Sequence, residues 1–122
     1  AEEFIRWTTP ILNMCRSATR DTELHGQRIG RGQQVLLMYG SANRDEAVFD
    51  RPDVFDVTLK PGGHIAFGLG THFCLGAALA RLEGQVAMSS IIRRFPDLEP
   101  AGPAVPNGRI TLRGLDALPV TS

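Results

Sequence analysis

The sequence predicts an α+β fold in the order helix, small β unit, irregular loop, long helix, short strands. Three observations predict it. Leu75, Leu79, Leu82 and Val86 recur at helical spacing, Gln34-Val-Leu-Leu-Met-Tyr39 is an apolar run of strand length, and Asn, Asp, Pro and Gly crowd the segment between Ser41 and His64. At 122 residues and 43 % hydrophobic, the chain has material for one modest core, so a single domain or a piece of one is expected. Thirteen basic and thirteen acidic residues cancel, which gives no electrostatic reason to expect nucleic acid, an anionic membrane surface or a highly charged substrate. No stretch approaches the roughly 20 consecutive apolar residues of a spanning helix, and Ala1 to Arg6 is acidic rather than signal-like. A soluble, cytoplasmic protein without a membrane span is the expectation.

Ala1-Glu-Glu-Phe-Ile-Arg-Trp7 reads as helix to about Thr8, ended by Pro10, which cannot continue the hydrogen-bond ladder and disfavours helical geometry at Thr9. No capping residue precedes it, so the chain is expected to be cut from something longer. Residues 13 to 19 and 34 to 39 read as strands, with His25-Gly26 and Arg31-Gly32 as turns between them. The segment from Ser41 to His64 reads as an ordered loop pinned by buried Phe49 and Phe55. A long helix follows over 75 to about 94, its stripe of Leu75, Leu79, Leu82 and Val86 serving as core, and Pro96 stops it. The tail offers two short strand candidates, Arg109 to Arg113 and Ala117 to Thr121, and neither a repeat nor a low-complexity segment is present.

The two cysteines, Cys15 and Cys74, have no CxxC spacing, which signals neither a disulfide framework nor a zinc ribbon. Cys15 reads as an inert small apolar residue. Cys74 has a different setting, Phe67-Gly-Leu-Gly-Thr-His-Phe-Cys74-Leu-Gly76, a glycine-rich loop that delivers a cysteine to the start of the long helix. Unpaired N–H groups and the positive dipole end there favour thiolate over thiol, so Cys74 is the candidate metal ligand. Gly68, Gly70 and Gly76 would let backbone pass close to a flat partner, and Phe67 would shield the sulfur. A dinucleotide fingerprint fits poorly, because Phe73 stands where the third glycine should be and no βαβ unit surrounds the loop. Zinc fits poorly too, since His72 and Cys74 leave only the distant His25 and His64 to complete a ligand set. Those two histidines read as structural or surface residues.

Phe67-Gly68-x-Gly70-x-His72-x-Cys74-x-Gly76 resembles the haem-binding loop of the cytochrome P450 family at every fixed position, and Glu3-Phe-Ile-Arg6 resembles the E-x-x-R of the helix upstream. Arg16-Ser-Ala-Thr-Arg-Asp21-x-Glu23-x-His-Gly26, Ser41-Ala-Asn-Arg-Asp45 and Gly114-Leu-Asp-Ala-Leu-Pro119 are similar to bacterial members. The resemblance covers the whole chain. It implies the C-terminal part, residues 1 to 122, of a single, mainly α domain whose N-terminal part is missing. In family terms that part is the end of a K-type helix, a small β unit, a meander, the Cys-ligand loop, a long L-type helix and a terminal β hairpin.

The same resemblance implies haem b with iron on Cys74, held among Phe67, Gly68, Gly70, Leu75 and Gly76, with Arg16 and His72 bonding the propionates. A guanidinium fork suits a carboxylate on chemical grounds as well. Glu3 and Arg6 match a buried ion-pair network, where ordinarily such a pair is a solvated one. Leu12, Met14, Thr111 and Leu112 fall where the family lines its substrate pocket, although plain core is the alternative. Many members carry an arginine in the meander near the positions of Val54 or Leu59. Lys60, Arg51 and Arg44 are the candidates to replace it, and a lysine lacks the fork. No residue matches the family's oxygen-activating acid and alcohol pair, so Cys74 has no further catalytic partner in this part.

The implied function of the parent is haem-thiolate monooxygenation of an apolar small molecule with O2 and electrons from a ferredoxin-type or flavin partner. Trp7-Thr-x-Pro10, Asn13-Met-Cys-Arg16 and Ala47-Val-Phe49 resemble bacterial enzymes that oxidise sterol side chains, which implies a steroid or lipid. A different class of reading is a truncated, non-catalytic remnant that neither folds nor binds haem stably alone, since the 75 to 94 helix would expose an apolar patch. An interaction module built on Pro96, Pro100, Pro103 and Pro106 has composition alone behind it.

Overall fold

A computed structural model describes residues 1–58 and 62–122. The first helix, α1 (Glu2–Thr8), carries Glu2 and Glu3 in its first turn and Arg6 in its last, the order that complements the helix dipole. It ends at Thr9, whose φ of 40° and ψ of 74° are left-handed and rare for a β-branched residue. Pro10 disfavours helical geometry at the residue before it. Thr9 is fully buried, and its hydroxyl donates to the Arg6 carbonyl at 2.6 Å and accepts from Asn43 Nδ2 at 2.9 Å.

Strand β1 (Asn13–Ser17) pairs antiparallel with β4 (Gln34–Met38), Asn13 opposite Met38 and Ser17 opposite Gln34. Between them β2 (Thr22–Leu24) and β3 (Gln27–Ile29) form a hairpin. Its turn residues His25 and Gly26 both have positive φ, 48° and 78°, as a tight two-residue hairpin requires. The strands expected over 13 to 19 and 34 to 39 are thus shorter. Tyr39 leaves the sheet to open the single turn α2 (Tyr39–Ala42), where its side chain is buried. In the loop that follows, Phe49 is buried as expected. Phe55 is half-exposed instead, because it packs edge-on against Phe4 at 5.0 Å between ring centroids and against Trp7 rather than inward.

The long helix α3 (Ala77–Arg94) is present, but its stripe is not core. Leu79, Leu82 and Val86 are 57–58 % exposed and Leu75 fully so. α1 instead faces α3 across a cavity lined by Ala80, Arg81, Gly84 and Met88, which lie on the opposite side of the helix at 3.6 residues per turn, and Arg81 reaches Glu2 there. Four two- or three-residue strands close the chain. β5 (Glu99–Pro100) pairs with β8 (Val120–Thr121), and β6 (Val105–Pro106) with β7 (Leu115–Ala117). The strand expected over Arg109 to Arg113 reduces to a bridge, Leu112 opposite Ile11, flanked by Leu12 N–H to the Thr111 carbonyl. Ala117 to Thr121 is not continuous because Pro119 has no N–H to give a ladder.

Candidate functional site

The loop ahead of α3 is shaped by its own backbone. Gly68 and Gly70 have φ of 76° and 72°, values that L side chains rarely adopt. Gly68 N–H bonds the Ile65 carbonyl, residues Gly70–His72 form one 3₁₀ turn, and Cys74 N–H bonds the Phe67 carbonyl at 2.9 Å. The three glycines differ in what surrounds them. A Cβ at Gly68 would sit 3.4 Å from the His72 carbonyl oxygen, one at Gly76 would sit 3.9 Å from Cys74 Sγ, and one at Gly70 would meet nothing. Cys74 itself precedes the helix, since α3 begins at Ala77, whose N–H bonds the Cys74 carbonyl at 3.2 Å. Leu75, expected within the binding loop, points to solvent.

Two adjoining cavities open on this loop and share Tyr39. One, of about 390 Å³, is lined by Cys74, Phe67, Gly68, Met14, Ala66 and other apolar groups. The other, of about 330 Å³, is lined by Arg16 and His72 with Leu37 and Leu69. The topology thus brings together Met14, Arg16, Phe67, Gly68, His72 and Cys74, from β1 and the loop. Leu12, Thr111 and Leu112, expected at a substrate pocket, are not among the residues lining the Cys74 cavity; Leu12 N–H bonds the Thr111 carbonyl and Leu112 bridges Ile11. Ile5, Pro10, Ile11 and Tyr39 line it instead, positions that carry no signature beyond being apolar or aromatic. Cys15 is free, exposed on β1, and its thiol lies 3.6 Å from the Gln34 side-chain oxygen.

Behind the loop, Glu3 and Arg6 are 3 % and 1 % exposed. The ordinary solvated pair is excluded by that burial. All five guanidinium N–H donors of Arg6 find acceptors. Two reach the Glu3 carboxylate in a 2.7 Å fork, and three reach the carbonyls of Asn43, Pro52 and Val54 at 2.8, 3.0 and 3.3 Å. The fork holds the Glu3 carboxyl below the usual carboxylate range, and Glu3 in turn raises Arg6. The other contact of Glu3 is the Asp56 N–H at 3.1 Å. Neither Arg44 nor Arg51 is the expected third member. Arg44 stacks 4.4 Å over Trp7 and faces Asp53, and Arg51 faces Asp50 and Asp56. Val54 contributes its carbonyl only, while Leu59 and Lys60 lie outside the described residues.

A second charged cluster went unseen in the sequence. Arg81 of α3 grips Glu2 of α1 with a fork of 2.7 and 2.9 Å, and His64 Nε2 lies 2.9 Å from the same carboxylate. The Arg81 hydrogen bonds, with His64 adding a smaller contribution, lower Glu2 from 4.5 to about 2 against the opposing effect of burial. Glu2 raises Arg81 in return. His64, whose side chain is only 5 % exposed, is structural rather than a surface residue.

This arrangement matches known proteins along nearly its whole length. The family model described as Cytochrome P450 matches residues 1–107. The chain belongs to the cytochrome P450 family. It is 54 % identical over 97 residues to the steroid C26-monooxygenase of Mycobacterium tuberculosis, covering 80 % of this chain and 26 % of that protein. It is 45 % identical to cytochrome P450 CYP199A2 of Rhodopseudomonas palustris, covering 98 % and 29 %. Among solved structures, P450BioI in complex with a hexadecenoic acid-ligated acyl carrier protein superposes with a TM-score of 0.95 at 42 % identity, covering 99 % of this chain and 31 % of that one. CYP109B1 of Bacillus subtilis gives 0.95 at 46 %, covering 99 % and 33 %. The chain spans about a quarter to a third of the length of these relatives.

Membership in the P450 family implies haem, and the donor set fits it. A single thiol stands beside an apolar cavity wall, and a guanidinium and an imidazole stand at the adjoining one, the chemistry that a flat apolar ring with two carboxylates requires.

Proposed function

We propose that residues 1 to 122 are the C-terminal haem-thiolate part of a single cytochrome P450 domain, and that the whole protein is a monooxygenase. The observation that carries this reading is the placement of Cys74, Met14 and Phe67 on one cavity and of Arg16 and His72 on its neighbour. In it, Cys74 holds the iron of haem b. Arg16 and His72 bind the propionates, Phe67 and Met14 exclude water from the sulfur, and the Phe67 carbonyl fixes the Cys74 backbone. The Glu3–Arg6 network holds the helix and meander behind them. When bound, a haem with a thiolate ligand supplies activation of O2, electron density from sulfur favouring O–O cleavage.

The substrate is an apolar small molecule, and a steroid or lipid is favoured by the likeness to steroid C26-monooxygenases and by a P450 crystallised with a fatty acyl carrier protein. Electrons come from a ferredoxin-type or flavin partner. A cytoplasmic location accords with the finding that no helix among the described residues is long and apolar enough to cross a membrane.

The exposed stripe of α3 favours a second reading, a truncated remnant that holds haem poorly. Titration with haem, reduction and addition of carbon monoxide separates the two. The first reading expects stoichiometric haem uptake and a thiolate-type Soret band that Cys74→Ala abolishes. Weak uptake with an imidazole-type band in both proteins would leave the remnant reading.

A further inference from the structure

The Glu2, His64 and Arg81 cluster has no part in the ligand set just proposed, yet it touches the Cys74 loop by two routes. One runs through the backbone. The Ala66 N–H meets His64 Nδ1 at 3.4 Å, which makes Nδ1 the acceptor and leaves Nε2–H to donate to Glu2 at 2.9 Å. One residue further on, the Phe67 carbonyl receives the Cys74 N–H. The other route runs through side chains. Arg81 lies 4.7 Å over the Phe67 ring while its fork holds Glu2, and Phe67 lines the cavity beside the sulfur. Phe67 also stands edge-on to Phe73, the residue before the cysteine, at 6.4 Å.

We infer that Glu2, His64 and Arg81 are positioning residues for the thiolate, a clamp that joins α1 to α3 and fixes Phe67 beside Cys74. This inference rests on the haem-thiolate reading. The clamp is close to neutral as a whole, because the Arg81 and Glu2 charges cancel. Its influence on the sulfur is therefore one of geometry. Glu3 and Arg6, one residue further along α1, do not substitute for it, since their partners are the carbonyls of Asn43, Pro52 and Val54 and the Asp56 N–H.

Geometry and charge make opposite forecasts for a pair of variants. Glu2→Gln leaves the Arg81 cation uncompensated, whereas Arg81→Gln leaves the Glu2 anion. A through-space field would push the thiolate in opposite directions in the two proteins, while loss of position pushes it in one. The test is the rate at which the reduced carbon monoxide complex of the haem-loaded protein loses its thiolate-type band at fixed pH and temperature. Both variants are expected to lose it several-fold faster than wild type. Arg81→Lys, which keeps the charge but not the fork or the flat stack, should fall between.

Asp21→Ala, which removes the side-chain acceptor of the Arg31 N–H beyond β1, serves as the control for general loosening and should match wild type. Changes of opposite sign in the two Gln variants, unchanged rates in both, or an equal acceleration in the Asp21 control would each overturn the clamp. A wild-type protein without the thiolate-type band would overturn the haem-thiolate reading and the clamp with it. Its presence in wild type with unaltered variants overturns the clamp alone.

Discussion

The two principal helices are held in place by opposite means. α1 is seven residues long and buries an ion pair, with Glu3 and Arg6 almost wholly enclosed and every donor of Arg6 matched. α3 is eighteen residues long, buries Ala77, and presents Leu79, Leu82 and Val86 to solvent. A short helix of ordinary propensity is marginal by itself, so α1 depends on carbonyls brought from residues 43 to 54, far away in sequence. The long helix has enough turns to persist on its own hydrogen bonds, and its tie to α1 is the Arg81 fork on Glu2. The difference teaches that in this region order flows from the polar meander to α1, and from α1 to the loop that carries Cys74.

Breaking the α1 side should have the largest effect. Arg6→Ala leaves the Glu3 carboxylate buried and three carbonyls without donors, a loss of about 3–5 kcal/mol for removing one partner of a buried pair. Urea unfolding followed by circular dichroism should show the transition lost or displaced far to low denaturant. Asn43→Ala removes the donor to Thr9 and the acceptor of the Ile65 N–H, both at a fully buried position, and should cost about 1–3 kcal/mol by the same measurement. Arg81→Ala, at a fork whose side chains are 33 % and 40 % exposed, should cost about 0.2–1 kcal/mol. Leu82→Gln, on the exposed stripe, should change stability by no more than about 0.5 kcal/mol and reduce self-association in light scattering. A cost of several kcal/mol there would show that the stripe is covered in solution and end the contrast between the helices.

The contrast also has a pH signature. Glu2 and Glu3 are both lowered in the folded protein, Glu2 from 4.5 to about 2. The folded state thus holds fewer protons than the unfolded one between those values. The Glu2 contribution is complete above about pH 4.5 and fades as pH falls toward 2, and the Glu3 contribution has the same sign, being lost as pH falls below the usual carboxylate range. Arg81→Ala should remove most of the Glu2 share of this acid sensitivity and leave that of Glu3, as thermal melts between pH 2 and 5 would read.

What was legible in the sequence follows from what each feature needs. The Cys74 loop was legible because left-handed backbone at Gly68 and Gly70 leaves its mark as glycine, and Glu3 with Arg6 because the pair resembles the family's E-x-x-R, its spacing alone reading as a solvated pair. The stripe on α3 was legible as a helix face, read as core in one account and as an exposed patch in the remnant account, since periodicity reports the face of a helix and not what covers it. Three of the acceptors of Arg6 are main-chain carbonyls, which any residue type supplies, so Asn43, Pro52 and Val54 carried no sign of the role. Glu2 and Arg81 stand 79 positions apart, and His64 lies 62 positions from Glu2, so only the folded chain makes them neighbours. In the tail, Pro119 and the two-residue strands leave too few residues for an alternation to declare itself.

The proposed ligation by Cys74 is tested most directly by X-ray absorption at the iron of the haem-loaded protein. A sulfur neighbour of iron is predicted in wild type, retained in Arg81→Gln before its band decays, and replaced by oxygen or nitrogen in Cys74→Ser. An iron with no sulfur neighbour in wild type, or one that keeps its sulfur in Cys74→Ser, would contradict it.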